Sequence, residues 1–339
     1  MFAYITAVEY LTCLLDLTPA SDPARCGLAL KLADAHRSLG NFPAMRAAIA
    51  QAQAATASDA DRAEALAVLG ELTSLLGNYA EAQKLLIEAM PLARTSGDGP
   101  TLCRVLYVLG DLNRRLGKLD EAKAAQDESL TLARASGDVV RELFALHGLG
   151  HVVRQQNNLA EAERLYAEVY TRAVAAGNRY MAMYALNSLG LVADACKEYA
   201  AARDYLQQAL VFAREIGAQL ATALFFLNLA DMDIKLDDFS SAREKLREGL
   251  ALALRLGAPV RVLQAVHYFG YLAHAEGQTE RALALLGLAR QHPAWYSADQ
   301  YELDVWLAGR ALDPAVVEAG LAQGAALDWD VTIQELLKE

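Results

Sequence analysis

Small residues recur every 40 positions through the middle of this chain. Gly70, Gly110, Gly150 and Gly190 form one series, which Ala230 and Gly270 continue. Ala82, Ala122, Ala162, Ala202, Ala242 and Ala282 form a second series at the same step. Gly97, Gly137, Gly177, Gly217 and Gly257 form a third. Three series in register mark a solenoid, in which each unit buries its apolar face only on its neighbours. The length of 339 residues therefore does not imply two or three globular domains.

The unit is clearest between Arg179 and Gly217, RYMAMYALNSLGLVADACKEYAAARDYLQQALVFAREIG. Two helical patterns meet at a break near Lys197 and Glu198. An interior helical Gly costs about 1 kcal/mol against Ala, so Gly190 implies a close approach by another backbone, with Ala202 as the small residue on the facing helix. The glycines of the third series are placed to end helices in the left-handed conformation. Helix pairs are expected at 61–76 with 79–95, 100–116 with 119–135, 139–156 with 159–175, 179–196 with 199–215, 219–236 with 239–255, and 259–276 with 279–290. Residues 24–39 and 42–57 read as a degenerate first pair, in which Met45 replaces the second-helix Ala.

The pattern Leu-Gly, a large residue at the turn, then Ala resembles the tetratricopeptide repeat. It stands here as Leu69-Gly70…Tyr79…Ala82, Leu109-Gly110…Leu119…Ala122, Leu149-Gly150…Leu159…Ala162, Leu189-Gly190…Tyr199…Ala202 and Leu229-Ala230…Phe239…Ala242. The period departs from the usual value of about 34, and the Pro that normally closes the second helix is absent. Longer helices ending in S-G-D, A-G-N or L-G-A resemble the long-repeat branch of the family. That branch includes kinesin light chains and the arms of bacterial signal-transduction ATPases and transcriptional activators of the MalT type. The resemblance implies an all-α, right-handed superhelical solenoid of antiparallel helix pairs with capping helices at both ends. The expected division is an N-terminal capping helix at 1–23, the array at 24–290 and a helical cap at 291–339.

Composition sets limits on partners. Lys plus Arg number 31 and Asp plus Glu 42, a net charge of −11. An acidic surface repels phosphate backbones, so the array is not expected to bind nucleic acid directly. No apolar run approaches the roughly 20 residues of a membrane span, and the N-terminus, with Glu9 and Asp16, does not read as a signal peptide. Cys13, Cys26, Cys103 and Cys196 form no metal-ligand spacing and are expected as free thiols of a cytoplasmic protein. There is no G-x-x-x-x-G-K-[ST], H-E-x-x-H or G-x-S-x-G motif. The chain is expected to be non-catalytic, with no cofactor and no metal.

At the ends, Phe2, Ile5, Val8 and Leu11 or Leu15 share one face of an amphipathic N-terminal helix. After His292-Pro293 the repeat fails, and Trp295, Tyr296, Tyr301 and Trp306 crowd together. Asp313-Pro314 has the N-cap and N1 chemistry of a helix start. Gly324 is expected to end that helix, and Asp328 to cap a last one through Leu337. These aromatics suit either a cap over the last repeat or a docking surface.

In tetratricopeptide arrays the first helix of each pair lines the concave groove. Positions six and three before the helix Gly, and one and four after it, then face inward. They are Arg104, Tyr107, Asp111 and Arg114; Phe144, His147, His151 and Arg154; Tyr184, Asn187, Leu191 and Asp194; Leu224, Leu227, Asp231 and Ile234; and Gln264, His267, Tyr271 and His274. Arginines with aromatics and hydrogen-bonding side chains make a recognition surface. The three arginines could clamp an anion, or pair with Asp111, Asp194 and Asp231 and only order the inner face. His147 and His151, four apart, lack a third metal ligand and read as polar groove residues. Two functions follow as expectations. One is a scaffold that holds a protein segment or peptide in the groove; the other is a sensor arm that closes around a small effector. Self-association through the terminal helices is a third use of the same chain.

Overall fold

The computed structural model describes residues 3–339. Helix α1 (Ala3–Leu17) precedes seven consecutive pairs. These are α2 (Ala24–Leu39) with α3 (Phe42–Ala54), α4 (Asp59–Leu75) with α5 (Tyr79–Ser96), and α6 (Gly99–Arg115) with α7 (Leu119–Ser136). They continue as α8 (Val139–Gln155) with α9 (Leu159–Ala175), and α10 (Arg179–Ala195) with α11 (Tyr199–Ile216). The last are α12 (Gln219–Lys235) with α13 (Phe239–Arg255), and α14 (Pro259–Ala275) with α15 (Thr279–Arg290). Helices α16 (Ser297–Ala308), α17 (Pro314–Ala325) and α18 (Trp329–Leu336) follow. No strand occurs among the described residues.

Two turns define the unit. At three junctions between pairs, a left-handed Gly ends one helix and the side chain of the next residue caps the following one. Gly97, Gly137 and Gly177 have φ of 70°, 67° and 67°. The side chains of Asp98, Asp138 and Asn178 then accept from the backbone N–H of Thr101, Arg141 and Met181. The S-G-D and A-G-N strings are thus a stop and a start in adjacent residues. Within pairs, a second left-handed series runs through Gly77, Gly117, Asn157, Lys197, Asp237 and Gly277. Lys197, at φ 63°, holds this conformation without the freedom of a Gly.

The interior glycines make room chiefly for a side chain sixteen residues on, rather than for a bare backbone. A Cβ at Gly70 would meet Leu86, at Gly110 Gln126, at Gly150 Tyr166, at Gly190 Leu206 and at Gly270 Leu286. The expected backbone contact is present as a secondary one: at Gly190 the Ala202 carbonyl would lie 3.2 Å from that Cβ. The second-helix alanines are fully buried. At Gly150 the added Cβ would fall 2.9 Å from Tyr166 Cδ1 and closer still to Cε1, so a large outer-helix residue needs a true Gly opposite it.

The C-terminal helices begin as expected, with Asp313 capping at Ala315 and Asp328 capping at Val331. Gly324 does not end α17. It lies inside the helix against α15, where a Cβ would collide with the Ala284 carbonyl. α18 ends at Leu336 rather than Leu337. Val8, Leu11 and Leu15 do pack on the first repeat, whereas Ile5 is exposed. Phe2 and the Tyr301 side chain lie outside what is described. The cysteines are unpaired, Cys26 and Cys103 being buried. No described helix is long and apolar enough to cross a membrane.

The array curls until its two ends meet. Leu220 at the start of α12 and Ala258 just before α14 belong to the same apolar cluster as Leu30, Phe42, Ile49 and Leu72 of the first two pairs. A Cβ on Gly40 would collide with Leu256, and one on Gly77 with Ala294. Tyr79 meets Tyr296 edge-on at 4.8 Å. The inner helices therefore enclose a lumen, and the ring is closed by a seam between the first two pairs and the segment from α12 to the start of α16.

Candidate functional site

The lumen is lined by the first helix of each pair, and the positions named from the sequence come together there in three sectors. In the first, Arg104 does not clamp a free anion. Its Nη1 and Nη2 donate to the Asp34 carboxylate at 3.0 and 2.6 Å, with Glu64 and Glu71 at 3.6 and 3.7 Å. Arg37 also pairs with Glu71, and its guanidinium lies 5.6 Å from the Tyr180 ring across the lumen. Burial alone raises a carboxyl pKa, yet Arg104 and Arg37 hold Asp34 below its ordinary value. Asp34, Arg37, Glu64 and Glu71 were not among the residues singled out from the sequence.

Asp111 binds two arginines of its own helix. Arg114 donates from Nη2 at 2.8 Å and Arg115 from Nε at 2.8 Å, and together they hold the carboxyl far below its usual range despite burial. Arg114 thus pairs as one of the two readings had it. Arg104 finds its carboxylates on other helices, and Arg154 lies beside the Tyr166 hydroxyl.

The central sector is aromatic. Tyr107 meets Phe144 at 5.2 Å, Phe144 meets Tyr180 at 6.2 Å, Tyr180 meets Tyr184 at 5.0 Å, and Tyr184 meets Phe225 at 6.1 Å. This run crosses four repeats, with Tyr107, Phe144 and Tyr184 half-buried. Behind it, His147 Nε2 lies 2.9 Å from Ser188 Oγ, and His151 Nδ1 lies 2.9 Å from the Tyr166 hydroxyl. Burial pushes His147 down to about 4. It pushes His151 well below its ordinary value, with His147, Arg114 and Arg154 adding repulsion. Ser188 is fully buried, so the Ser–His contact offers no nucleophile to a substrate. Among the described residues no group of three His, Cys, Asp or Glu side chains is placed to hold a metal.

The third sector is a ladder of amides. Asn228 Nδ2 donates to Asn187 Oδ1 at 2.8 Å, and Gln264 Nε2 donates to Asn228 Oδ1 at 2.9 Å. Arg261 closes the row by donating to Gln264 Oε1 at 2.6 Å. One amide thus comes from each of α10, α12 and α14, and Asn187 and Asn228 are both buried. Sequence spacing found Asn187 and Gln264 but passed over Asn228, which sits one residue off the 40-residue register. Beside the ladder, Lys235 bridges Asp194 at 2.6 Å and Asp231 at 2.8 Å. Burial raises the Asp231 carboxyl, Lys235 opposes this, and Asp194 adds to it.

His267, Tyr271 and His274 do not line an open groove. His267 meets Trp295 at 4.7 Å, while Tyr271 stacks on Trp306 at 5.1 Å and an interplanar angle of 8°. His274 lies 5.1 Å from the same Trp306. Trp295 and Trp306 thus lie over the inner helix of the last repeat. Of the inner apolar positions, Leu227 and Ile234 are buried in the core, while Leu191 and Leu224 are half-buried.

Known proteins share this architecture. Residues 61–135 and 101–175 match the tetratricopeptide repeat family, and 183–216 match a further model of the same repeat. No curated protein matches in sequence. Among solved structures, NprR in complex with its cognate peptide NprX is 13% identical, with a TM-score of 0.64 over 91% of this chain and 87% of that one. A Rap protein complexed with competence and sporulation factor is 12% identical, with a TM-score of 0.62 over 99% and 98%. A STAND signal-transduction ATPase with a tetratricopeptide repeat sensor, from Pyrococcus horikoshii, is 16% identical, with a TM-score of 0.56. It is covered over 54% of its own length, by 99% of this chain. Helix pairs on a 40-residue period, closed on Gly and Ala, are matched as tandem tetratricopeptide repeats over residues 61–175 and 183–216.

Proposed function

We propose that the chain is a non-catalytic interaction scaffold whose lumen holds an extended peptide segment of a partner. The observation that carries this is the amide ladder Asn187–Asn228–Gln264 beside the aromatic run from Tyr107 to Phe225. An Asn or Gln side chain offers an N–H donor and a C=O acceptor, the same pair that an extended peptide unit offers. Aromatic faces supply apolar area for its side chains at little cost in conformational entropy. The arginines play a different part, since Arg104 and Arg114 are engaged by carboxylates and hold the wall in shape. The complexes of NprR with its cognate peptide and of Rap with competence and sporulation factor, both similar in fold, support the same reading.

The test is retention of short random-sequence peptides by the protein, identified by mass spectrometry and titrated by fluorescence anisotropy. Asn228→Leu and Tyr184→Ala should each weaken a retained peptide by about tenfold or more, roughly 1.4 kcal/mol, with the helical circular dichroism kept. Retention of no peptide, or equal binding by folded variants, sinks the proposal.

A second reading, a sensor arm for a small effector, is favoured by the closed ring and by the likeness to the STAND protein's repeat-bearing chain. In that case peptides fail, and a small molecule raises the thermal midpoint in a saturable way.

A further inference from the structure

The seam that closes the ring differs in kind from the interfaces that build it. Along the solenoid each helix pair packs a whole face against the next. At the seam the α12–α16 side contributes only helix ends and turns. Leu256 packs against Gly40, and Leu220 and Ala258 complete the apolar cluster of α2, α3 and α4. Ala294 and Val260 approach Gly77. Tyr296 sits on the edge of Tyr79, itself buried, and Arg37 lies over the Tyr180 ring. Tyr4, near the start of α1, packs against the apolar cluster that holds Met183 of α10 and Phe225 of α12, while α1 itself lies along α2. The seam residues are drawn from stretches more than 140 positions apart in sequence, for example Gly40 and Leu256.

We propose that this seam is a clasp: the ring opens there, between the first two repeats and the α12–α16 segment, and opening is what admits a ligand to the lumen. Opening breaks none of the interfaces between successive pairs. A small rotation at each adds along the array, so its two ends separate by the sum. The open state exposes Leu220, Leu256 and Val260, releases Tyr296 from Tyr79, and frees the inner face of Tyr180, Tyr184 and Phe225. A ligand that touches both sides of the lumen shifts the balance to the closed ring, because only the closed form offers it both sets of contacts. The proposal concerns the chain's own two ends and does not depend on what the lumen holds.

Small-angle X-ray scattering on the full chain, with circular dichroism on the same samples, tests it. Leu256→Asp puts a carboxylate against Gly40 and the N-terminal cluster, and Tyr296→Ala removes the ring on Tyr79. Both should raise the radius of gyration and the maximum dimension over the wild type while the helical signal at 222 nm stays unchanged. Wild-type scattering from variants that keep their helix content overturns the clasp. Should Leu256→Asp lose helix content, Tyr296→Ala decides alone, because it deletes a contact without burying a charge. A folded Tyr296→Ala ring that scatters as the wild type does then overturns the proposal, and an expanded one supports it.

Discussion

The Tyr166 hydroxyl lies 2.9 Å from His151 Nδ1, although Tyr166 belongs to the outer helix of its pair and His151 to the inner one. The ring reaches the lumen wall by passing over Gly150, where a Cβ would collide with it. A residue that looks structural in the repeat pattern therefore sets the chemistry of the lumen.

Gly150→Ala should cost about 1–3 kcal/mol, the usual penalty of overpacking a tight core. Gly70→Ala should cost much less. Its Cβ would lie 3.1 Å from Leu86 Cγ, at the end of a side chain that can shift, and the gain in helix propensity of about 1 kcal/mol offsets the strain. Adding Tyr166→Leu to Gly150→Ala should restore part of the loss. Urea midpoints of the four proteins check this, and equal losses at Gly70 and Gly150 would contradict it.

Acid should destabilise the protein at a pH where carboxylates are still ionised. Burial lowers the pKa of all six histidines, His36, His147, His151, His267, His274 and His292, with His147 and His267 down to about 4. A depressed histidine binds its proton more readily in the unfolded chain. Stability is then complete above pH 6.5 and is lost as pH falls toward 4. A shift of this size removes about 2 kcal/mol per deeply buried histidine by pH 5. His267→Phe should lower the pH dependence of urea unfolding between pH 7.5 and 5, and it also removes a buried Nε2 that has no hydrogen-bond partner. An unchanged slope would exclude His267 as a source.

Arg104→Met should destabilise by about 1–3 kcal/mol at pH 7, by leaving Asp34 and Glu71 in a half-buried site to share Arg37. Asp34 has a depressed pKa, so its stabilising part is present above the ordinary carboxyl value and is lost as pH falls through the folded one. The gap between variant and wild type should therefore narrow below pH 4. A constant gap from pH 7 to 3.5 would mean that Arg104 acts through packing alone.

The periodic part of the structure was legible because Gly and Ala mark close packing, and close packing repeats with the helices. The inner face was legible for the same reason at Arg104, Tyr107, Phe144, His147, Tyr184, Asn187 and Gln264. The inner face of the first pair was not. Gly40 precedes Gly77 by 37 residues rather than 40, so a fixed step misplaces Asp34 and Arg37, whereas Glu64 and Glu71 lie 40 residues before Arg104 and Asp111 and were open to the same count. The seam left no trace, since contacts between residues such as 40 and 256 have no period and involve ordinary Leu, Ala and Tyr residues. Lys197 and Asp237, left-handed at the position that Gly77, Gly117 and Gly277 fill in other repeats, show how tertiary packing imposes a turn that local chemistry does not ask for.

Joining the first repeats to the last also changes how the protein should unfold. A linear array held by nearest-neighbour interfaces can fray from either end, one repeat at a time. Here the terminal repeats support each other, so neither end is free to melt first and loss of one exposes the other. The contacts that accomplish this are the longest-range in the chain, and closing them carries a loop entropy that the local helix pairs do not meet. The circle should thus be the last feature to form in folding, and the step that turns a string of separable units into one cooperative molecule.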